Sequence, residues 1–215
     1  MNLRSLAKQA ARPVLQRATG GRLVWRGPAT PRRIALTFDD GPHQLTPRML
    51  ELLADHGVPA TFFVMGAWID ERPAIVNDYL RGGHQLAGHG YYHKRFTELR
   101  PLALRDELAS MSRAIGRMPH GAWVRPPHGT IGALDVSTMI ASGYVVALWS
   151  LDSLDHDGST AEVIAHRCRP EVVRPGEVIL FHEGQDTTLA ALPTIIDRLH
   201  ADGYELVTMA DLIAP

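Results

Sequence analysis

The sequence predicts an α/β protein in which about seven strands curl into an irregular, TIM-like (β/α) barrel. Short β-rich runs alternate with amphipathic helical segments from Arg33 onward, a pattern typical of parallel strands joined by crossover helices. Polar clusters follow five of these strands. An open doubly wound sheet is the alternative, but it would gather its site from only two or three neighbouring strands. Residues from five strands meet at one centre only if the sheet curls shut.

The seven strands are predicted from short runs rich in β-branched, aromatic and other apolar residues at 34–38, 60–65, 84–87, 122–124, 144–149, 177–181 and 204–207. Helical spacing of apolar residues, as at Leu104, Leu108 and Met111, predicts helices at about 46–56, 73–82, 101–117, 134–142, 160–169 and 189–201. Pro73 suits the first position of its helix. Pro193 is expected to begin or kink the last one.

The amino-acid composition restricts the classes of protein to which this chain can belong. The 215 residues are 45% hydrophobic with a net charge of −1, which suits one large globular domain rather than a disordered chain. Cys168 is the single cysteine, so an internal disulfide is excluded. We expect no nucleic-acid partner. Eleven histidines are the one compositional hint of chemistry.

Residues 1–32 differ from the rest of the chain and are predicted to form a basic N-terminal arm or helix. Eight basic residues precede the first acid, Asp39. One helical face, expected to be interrupted at Pro13, carries Leu3, Leu6, Ala7, Ala10, Val14 and Leu15. Two interpretations stay open: a helix packed on the domain with solvated charges, or peripheral contact with an anionic membrane. No apolar core of a secretory signal is evident, so we expect a cytoplasmic location, with or without membrane contact.

The first polar cluster is Thr37-Phe38-Asp39-Asp40-Gly41-Pro42, at the end of the first predicted strand. Asp, Gly and Pro all favour turns, so a simple turn is one interpretation. However, two adjacent carboxylates repel each other, which a turn does not need and a metal site can use. Because successive strand side chains point to opposite faces, we expect one carboxylate to bind metal while its neighbour addresses a different group.

The second cluster contains His89 and His93. On one helical turn, residues four apart lie on the same face, which suits two imidazoles that share a cation. Two histidines and one aspartate leave a coordination position open, the arrangement of a catalytic zinc. A pair of exposed loop histidines is the alternative.

Three further clusters follow later strands. Arg125 precedes two prolines that hold the backbone extended, so it is either a carboxylate partner or part of a surface turn. Residues 149–156 form the fourth cluster, which ends with Asp155 and His156. The fifth contains His182 at the end of a hydrophobic strand. Such a histidine is either a satisfied near-core residue or a general acid.

Together, and in this order, the five clusters resemble the polysaccharide deacetylase family, the carbohydrate esterases related to nodulation chitooligosaccharide deacetylases. The match covers about residues 33–213 and includes non-catalytic stretches at 57–64 and 203–208. The resemblance implies that residues 33–215 form a catalytic domain with a distorted barrel. It also implies hydrolysis of N-acetyl groups on amino-sugar units of a glycan, with a divalent metal that is usually Zn²⁺.

The resemblance also implies a role for each matching residue. Asp39 resembles the catalytic base, and Asp40 resembles a metal ligand together with His89 and His93. Arg125 looks like the residue that orients the base, Asp155 like the acid that tunes the catalytic histidine, and His182 like that general acid. Substrate contacts are expected from Tyr92, Pro126, His128 and Leu180. We expect the backbone N–H of Tyr92 to hold the oxyanion.

The sequence departs from the family pattern at three positions. Gly90 stands where Ser or Thr is usual, His128 where Tyr or Trp is usual, and His156 where Trp is usual. None of these departures removes a predicted metal ligand, the base or the acid. They bear on which sugar binds and not on the reaction class. An O-acetyl esterase or N-deformylase with the same centre is one alternative. A non-catalytic glycan-binding relative is another, against which the intact Asp39 and His182 speak.

Overall fold

The structure is a computed structural model that describes the backbone of residues 3–214 and the side chains of residues 11–214. The helices are α1 (Leu3–Ala18), α2 (Thr46–Asp55), α3 (Gly66–Glu71), α4 (Ile75–Arg81), α5 (Pro101–Ile115), α6 (Ala133–Ala141), α7 (Ala161–Arg167), α8 (Asp186–Ala201) and α9 (Met209–Ile213). The strands are β1 (Leu23–Val24), β2 (Arg33–Gly41), β3 (Thr61–Val64), β4 (Gln85–Gly88), β5 (Trp123–Val124), β6 (Val145–Ala147), β7 (Leu151–Asp152), β8 (Val178–His182) and β9 (Glu205–Leu206).

All strand pairs are parallel, and the strand order is β1-β6-β5-β4-β3-β2-β8-β7, with β9 also paired to β2. The sheet is strongly curled. This is shown by the side chain of Arg125 after β5, which crosses the interior and donates to the Thr37 hydroxyl in β2 at 2.9 Å. The predicted irregular α/β barrel is confirmed. The sequence predicts seven strands, whereas residues 3–214 contain nine, since two-residue strands such as β1 and β7 carry no readable periodicity.

Side-chain alternation in β2 separates two buried layers. Ile34, Leu36 and Phe38 belong to the larger core, which also contains buried side chains of helices such as α2, α5 and α8, whereas Ala35 belongs to a second cluster inside the barrel. The interior cluster comprises Val24, Ala35, Phe63, Ala87, Trp123, Ala147, Val178, Val207, Met209 and Leu212. Because the period is two residues, Thr37 and Asp39 share the inward face with Ala35. Asp39 therefore reaches the barrel mouth at the carboxyl end of β2.

The structure differs from the predictions at three prolines, and it excludes Pro193 as the start of its helix. α8 begins at Asp186 and runs through Pro193, since its buried face outweighs the one backbone hydrogen bond that the proline removes. Pro73 lies between α3 and α4 instead of opening one helix. α1 is continuous through Pro13, so the predicted interruption does not occur.

The N-terminal helix is attached to the barrel on one side. The Gln16 side-chain amide donates to the carbonyl of Arg26 at 3.0 Å and accepts the N–H of Trp25 at 3.3 Å. On the predicted apolar face, Val14 and Leu15 are exposed. The other side chains of that face, of Leu3, Leu6, Ala7 and Ala10, lie outside the described residues. Within the described range, no helix has the length and apolarity that crossing a membrane requires.

Candidate active site

The carboxyl ends of the strands bring the predicted catalytic and metal-ligating residues to one mouth of the barrel. Asp39 and His182 are register partners on the neighbouring strands β2 and β8. His89 follows β4, and Arg125 follows β5. Asp155 begins a short 3₁₀ turn after β7 and contacts His182. Parallel strands end at the same edge of a sheet, which explains the convergence.

Asp40 occupies a β-bulge, which changes the predicted direction of its side chain. The register between β2 and β3 shifts between Asp39 and Gly41, and Asp40 has a φ of 63°. Its Oδ1 lies 3.2 Å from His93 Nε2 and 3.5 Å from His89 Nε2. The reasoning from opposite faces is wrong, because the bulge aims both carboxylates into one mouth. The two carboxylates still address different groups, Asp40 the histidines and Asp39 the guanidinium of Arg125.

The segment that carries His89 and His93 is a loop and not the predicted helical turn. Gly90 has a φ of 80° and His93 a φ of 58°, which no α-helix accommodates. Glu107 of α5 holds the loop by accepting the N–H groups of Tyr91 at 2.8 Å and Tyr92 at 2.9 Å. The Tyr92 N–H is thus engaged, so its prediction as the oxyanion donor is also wrong. The positive φ also favours glycine at position 90 over the usual Ser or Thr.

Asp40, His89 and His93 fit a divalent cation. His89 Nδ1 lies 2.8 Å from the Arg125 carbonyl, which only accepts, so Nδ1 carries the hydrogen. Burial lowers the pKa of His89 to about 3, and the neutral ring therefore presents a bare Nε2 to Asp40. Asp40 Oδ1 is itself buried without a hydrogen-bond donor. Two acceptors that face each other at 3.5 Å repel unless a cation lies between them, which is what a metal site provides.

Asp39 is held by a buried ion pair. The Arg125 Nη1 donates to Asp39 Oδ1 at 2.6 Å and to Thr37 Oγ1 at 2.9 Å, while Nη2 donates to the Leu148 carbonyl at 3.2 Å. Both charged side chains are buried. Burial raises the pKa of the Asp39 carboxyl, and the Arg125 charge opposes that rise. Asp39 Oδ2 stays directed at the metal ligands, 3.6 Å from His89 Nε2.

Asp155 orients His182 through both of its carboxylate oxygens. Oδ1 accepts from His182 Nδ1 at 2.8 Å, and Oδ2 accepts the His182 backbone N–H and the Thr188 hydroxyl, each at 2.7 Å. Burial by itself lowers the pKa of His182. The bond to Asp155 and the charges of Asp39 and Asp155 raise that pKa by more than burial lowers it, so the net shift is upward. His182 therefore favours the imidazolium form that a general acid needs.

The four predicted substrate contacts differ in exposure. Tyr92 is 60% exposed, and His128 is exposed with its ring 4.6 Å from that of His93. Pro126 is buried, and Leu180 is only 2% exposed. Tyr92 and His128 are thus accessible beside the metal ligands, whereas Leu180 offers little surface. Their contact with a glycan stays a prediction.

The sequence predicts no role for the residues that support the site from behind, among them Thr37, Glu107, Thr188 and Glu183. Glu183 is buried and accepts hydrogen bonds from the Tyr79 hydroxyl, at 2.9 Å, and from the Thr46 hydroxyl. Its Oε1 lies 1.7 Å from where a Cβ on Gly41 would stand. The glycine after the paired aspartates was the available signal, since it leaves room for this carboxyl group.

Comparison with known proteins shows that this chain is similar to enzymes that act on carbohydrates. The family model described as polysaccharide deacetylase matches residues 26–147. The peptidoglycan-N-acetylglucosamine deacetylase PgdA of Listeria monocytogenes is 33% identical over 188 residues, which are 85% of this chain and 39% of PgdA. The chitooligosaccharide deacetylase of Sinorhizobium fredii is 35% identical over 190 residues, 80% of this chain and 87% of the relative.

A solved structure agrees with the sequence relatives. The crystal structure of the peptidoglycan N-acetylglucosamine deacetylase Bc1960 superimposes with a TM-score of 0.85 and 28% identity, over 92% of this chain and 95% of that one. This chain spans well under half the length of the Listeria relative. It spans nearly all of the Sinorhizobium relative and of the solved structure.

Proposed function

Because this chain belongs to the polysaccharide deacetylase family, we propose that it hydrolyses N-acetyl groups on amino-sugar units of a poly- or oligosaccharide. The products are acetate and a glucosamine-type unit. One observation carries the proposal: Asp39 and His182 are paired in register on adjacent strands beside a three-ligand metal set. A base and an acid on opposite sides of a carbonyl are what amide hydrolysis requires.

The ligand set is best suited to Zn²⁺, which commonly takes two imidazoles and one carboxylate and keeps a fourth position open. Asp40, His89 and His93 would hold the ion. When bound, a divalent cation there would polarise the acetyl carbonyl and make a nearby water more acidic.

The chain's own residues supply the proton transfers. Asp39, fixed by Arg125, takes a proton from the attacking water, whose oxygen forms a bond to the carbonyl carbon. His182, fixed by Asp155, then donates a proton from Nε2 to the sugar nitrogen as the C–N bond breaks. The carbonyl carbon keeps the other hydrogen of the water as O–H, so a neutral amine and acetic acid leave, and the acid ionises to acetate in solvent. Asp39 then releases its proton and His182 takes one up, which returns both groups to their starting states. An amide nitrogen is a poor leaving group without this proton, so the acid is essential to the proposal.

Acetate release from a panel of saccharides tests the proposed reaction. The enzyme is loaded with one equivalent of Zn²⁺ and given N-acetylated chitooligosaccharides, O-acetylated xylooligosaccharides and N-formylated glucosamine oligomers. We expect turnover of the N-acetylated sugars, with Asp39→Asn as the inactive control. Preference for the O-acetylated or N-formylated substrates would assign the alternative esterase or deformylase activity. Binding without turnover by the fully loaded enzyme would assign a glycan-binding role.

We also propose that the basic arm contacts anionic membranes. Val14 is 66% exposed and Leu15 45% exposed on α1, and Arg12, Arg17 and Arg22 lie close to them in sequence. Exposed apolar side chains among cations suit an anionic lipid surface. Wild type should sediment with phosphatidylglycerol vesicles at low salt and much less with phosphatidylcholine vesicles. The variant Val14→Ser/Leu15→Ser should lose this binding, and equal binding of both proteins would refute the proposal.

A further inference from the structure

A second set of histidine and carboxylate ligands lies beside the first. Asp155, His156 and His182 each offer one ligand atom, and these atoms lie within 4.8 Å of one another. None of the three belongs to the Asp40–His89–His93 set. We propose that Asp155, His156 and His182 form a second, inhibitory Zn²⁺ site. The inhibition rests on the proposed deacetylase function, whereas the binding does not.

The orientation of His156 leaves a nitrogen available. Its Nε2 lies 3.2 Å from Asp157 Oδ1, and this nearby carboxylate favours the tautomer with the hydrogen on Nε2. In the neutral ring, Nδ1 is then bare, and it faces Asp155 Oδ1 at 3.8 Å. A carboxylate that orients the far nitrogen of a histidine is a common supporting arrangement around metal ligands.

Asp155 presents one fixed oxygen to both rings. Its Oδ2 is engaged by Thr188 and by the His182 backbone, so Oδ1 is left for His182 Nδ1 at 2.8 Å and His156 Nδ1 at 3.8 Å. Ligand atoms around a tetrahedral zinc, with bonds of about 2.0–2.1 Å, stand about 3.3–3.4 Å apart. The Asp155–His182 distance is shorter than this spacing and the Asp155–His156 distance is longer, so both rings would rotate about the fixed oxygen to admit the ion.

The second site is also accessible. The His156 side chain is 42% exposed, whereas that of Asp155 is fully buried. The His156 and His182 rings lie 4.7 Å apart, at the rim of the barrel mouth. An ion can therefore enter from solvent along His156 and reach the buried carboxylate.

A zinc ion bound at this site would prevent His182 from acting as the general acid. A zinc–nitrogen bond forms at His182 Nδ1, and the proton that this nitrogen shared with Asp155 leaves to solvent. The ring keeps only its Nε2 proton, which is much less acidic than a proton of the imidazolium. Because loss of a general acid typically costs ~10²–10⁴-fold, saturating Zn²⁺ should lower turnover of an amide substrate by about 10²-fold or more.

Zinc stoichiometry tests the site without reference to activity. The full chain, free of affinity tags, is stripped of metal, dialysed to equilibrium against ZnCl₂ and analysed for bound zinc. We expect two ions per chain for wild type and one for His156→Phe, which keeps an aromatic ring against His182. His120→Phe removes another exposed histidine and should still bind two ions. One ion in wild type, or two in His156→Phe, would overturn the proposal.

Zinc dependence of acetate release tests the inhibition. Each variant is compared with its own rate at one equivalent of Zn²⁺. We expect wild type and His120→Phe to lose activity as zinc exceeds one equivalent, and His156→Phe to keep it. Equal inhibition of His156→Phe would contradict the inhibitory role. If no variant deacetylates at any zinc concentration, the proposed function fails while the stoichiometry still decides the second site.

Discussion

Arg125 offers the sharpest test of how the barrel interior holds the catalytic base. The side chains of Arg125 and Asp39 are 0% and 4% exposed, and the guanidinium donates to Asp39, Thr37 and Leu148. Replacing it with Met keeps the approximate length but removes the charge and all three bonds. Asp39 is then left without its cationic partner in a site where its side chain is only 4% exposed.

The magnitude follows from that burial. Removing one partner of a buried ion pair typically costs about 3–5 kcal/mol, because the other charge stays uncompensated. For a chain of this size, each 1 kcal/mol shifts Tm by about 2–4 °C. Arg125→Met should therefore lower Tm by roughly 6–20 °C. Asp39→Asn/Arg125→Met removes both charges and should be more stable than Arg125→Met alone.

The deficit of Arg125→Met should also depend on pH. Burial already raises the pKa of Asp39, and loss of Arg125 raises it further. Between the unfolded pKa, about 3.9, and the folded value, the native state then binds more protons than the unfolded state. Its stability therefore falls as pH rises through this window. The penalty should be larger at pH 7 than at pH 4.

Thermal unfolding of the metal-free proteins, followed by circular dichroism at pH 4 and pH 7, measures these effects. Wild type, both single variants and the double variant complete a double-mutant cycle. If the double variant is destabilised by the sum of the single effects at pH 7, the buried pair does not act as described. Arg125→Lys serves as the matched control, because it keeps the charge but loses the planar fork.

Three further predictions concern the acid and the metal. Asp155→Asn should move the falling limb of the pH–rate profile to lower pH, since the Asp155 bond and charge contribute to the raised pKa of His182. The zinc bound at one equivalent of added metal should not change, because Asp155 is not among the ligands Asp40, His89 and His93. His182→Ala should slow amide hydrolysis by ~10²–10⁴-fold but should slow hydrolysis of nitrophenyl acetate much less, because that leaving group needs no proton. His93→Ala should lose its zinc at one equivalent of added metal, measured by elemental analysis, while His120→Phe retains it.

Each of these has an outcome that contradicts it. If the falling limb of the pH–rate profile stays at the same pH in Asp155→Asn, Asp155 does not raise the pKa of His182. An equal loss on the amide and the activated ester would mean that His182 is not the leaving-group acid. Unchanged zinc in His93→Ala would remove His93 from the ligand set.

The sequence was informative wherever the site depends on strand alternation. In β2, apolar residues alternate between the outer core and the barrel interior, so the position of Asp39 follows from the same period that defines the strand. His182 follows from β8 in the same way. The polar residue at the carboxyl end of each buried strand could therefore be identified from the sequence. Parallel strand topology then brings the carboxyl ends of several strands together.

The metal-ligand geometry was less predictable because it depends on strained loops. Among the described residues, the non-glycine residues with positive φ are Asp40, His93, His128 and Leu154, all within the clusters that form the mouth. Such conformations are uncommon for these residue types and cost free energy. They persist because distant side chains hold the chain in place, as Glu107 does for the loop at Tyr91 and Tyr92. A local sequence pattern does not contain that information.

Glu183 shows how such long-range support aligns the two reactive strands. Its backbone N–H donates to the Asp39 carbonyl at 2.8 Å, which continues the β2–β8 ladder one residue beyond His182. Its carboxyl group fills the space beside Gly41 and is held there by Tyr79 and Thr46. One residue thus touches the strand end that carries Asp39 and Asp40 while adjoining the strand end that carries His182. The relative position of base and acid therefore depends on a buried contact that neither motif reveals by itself.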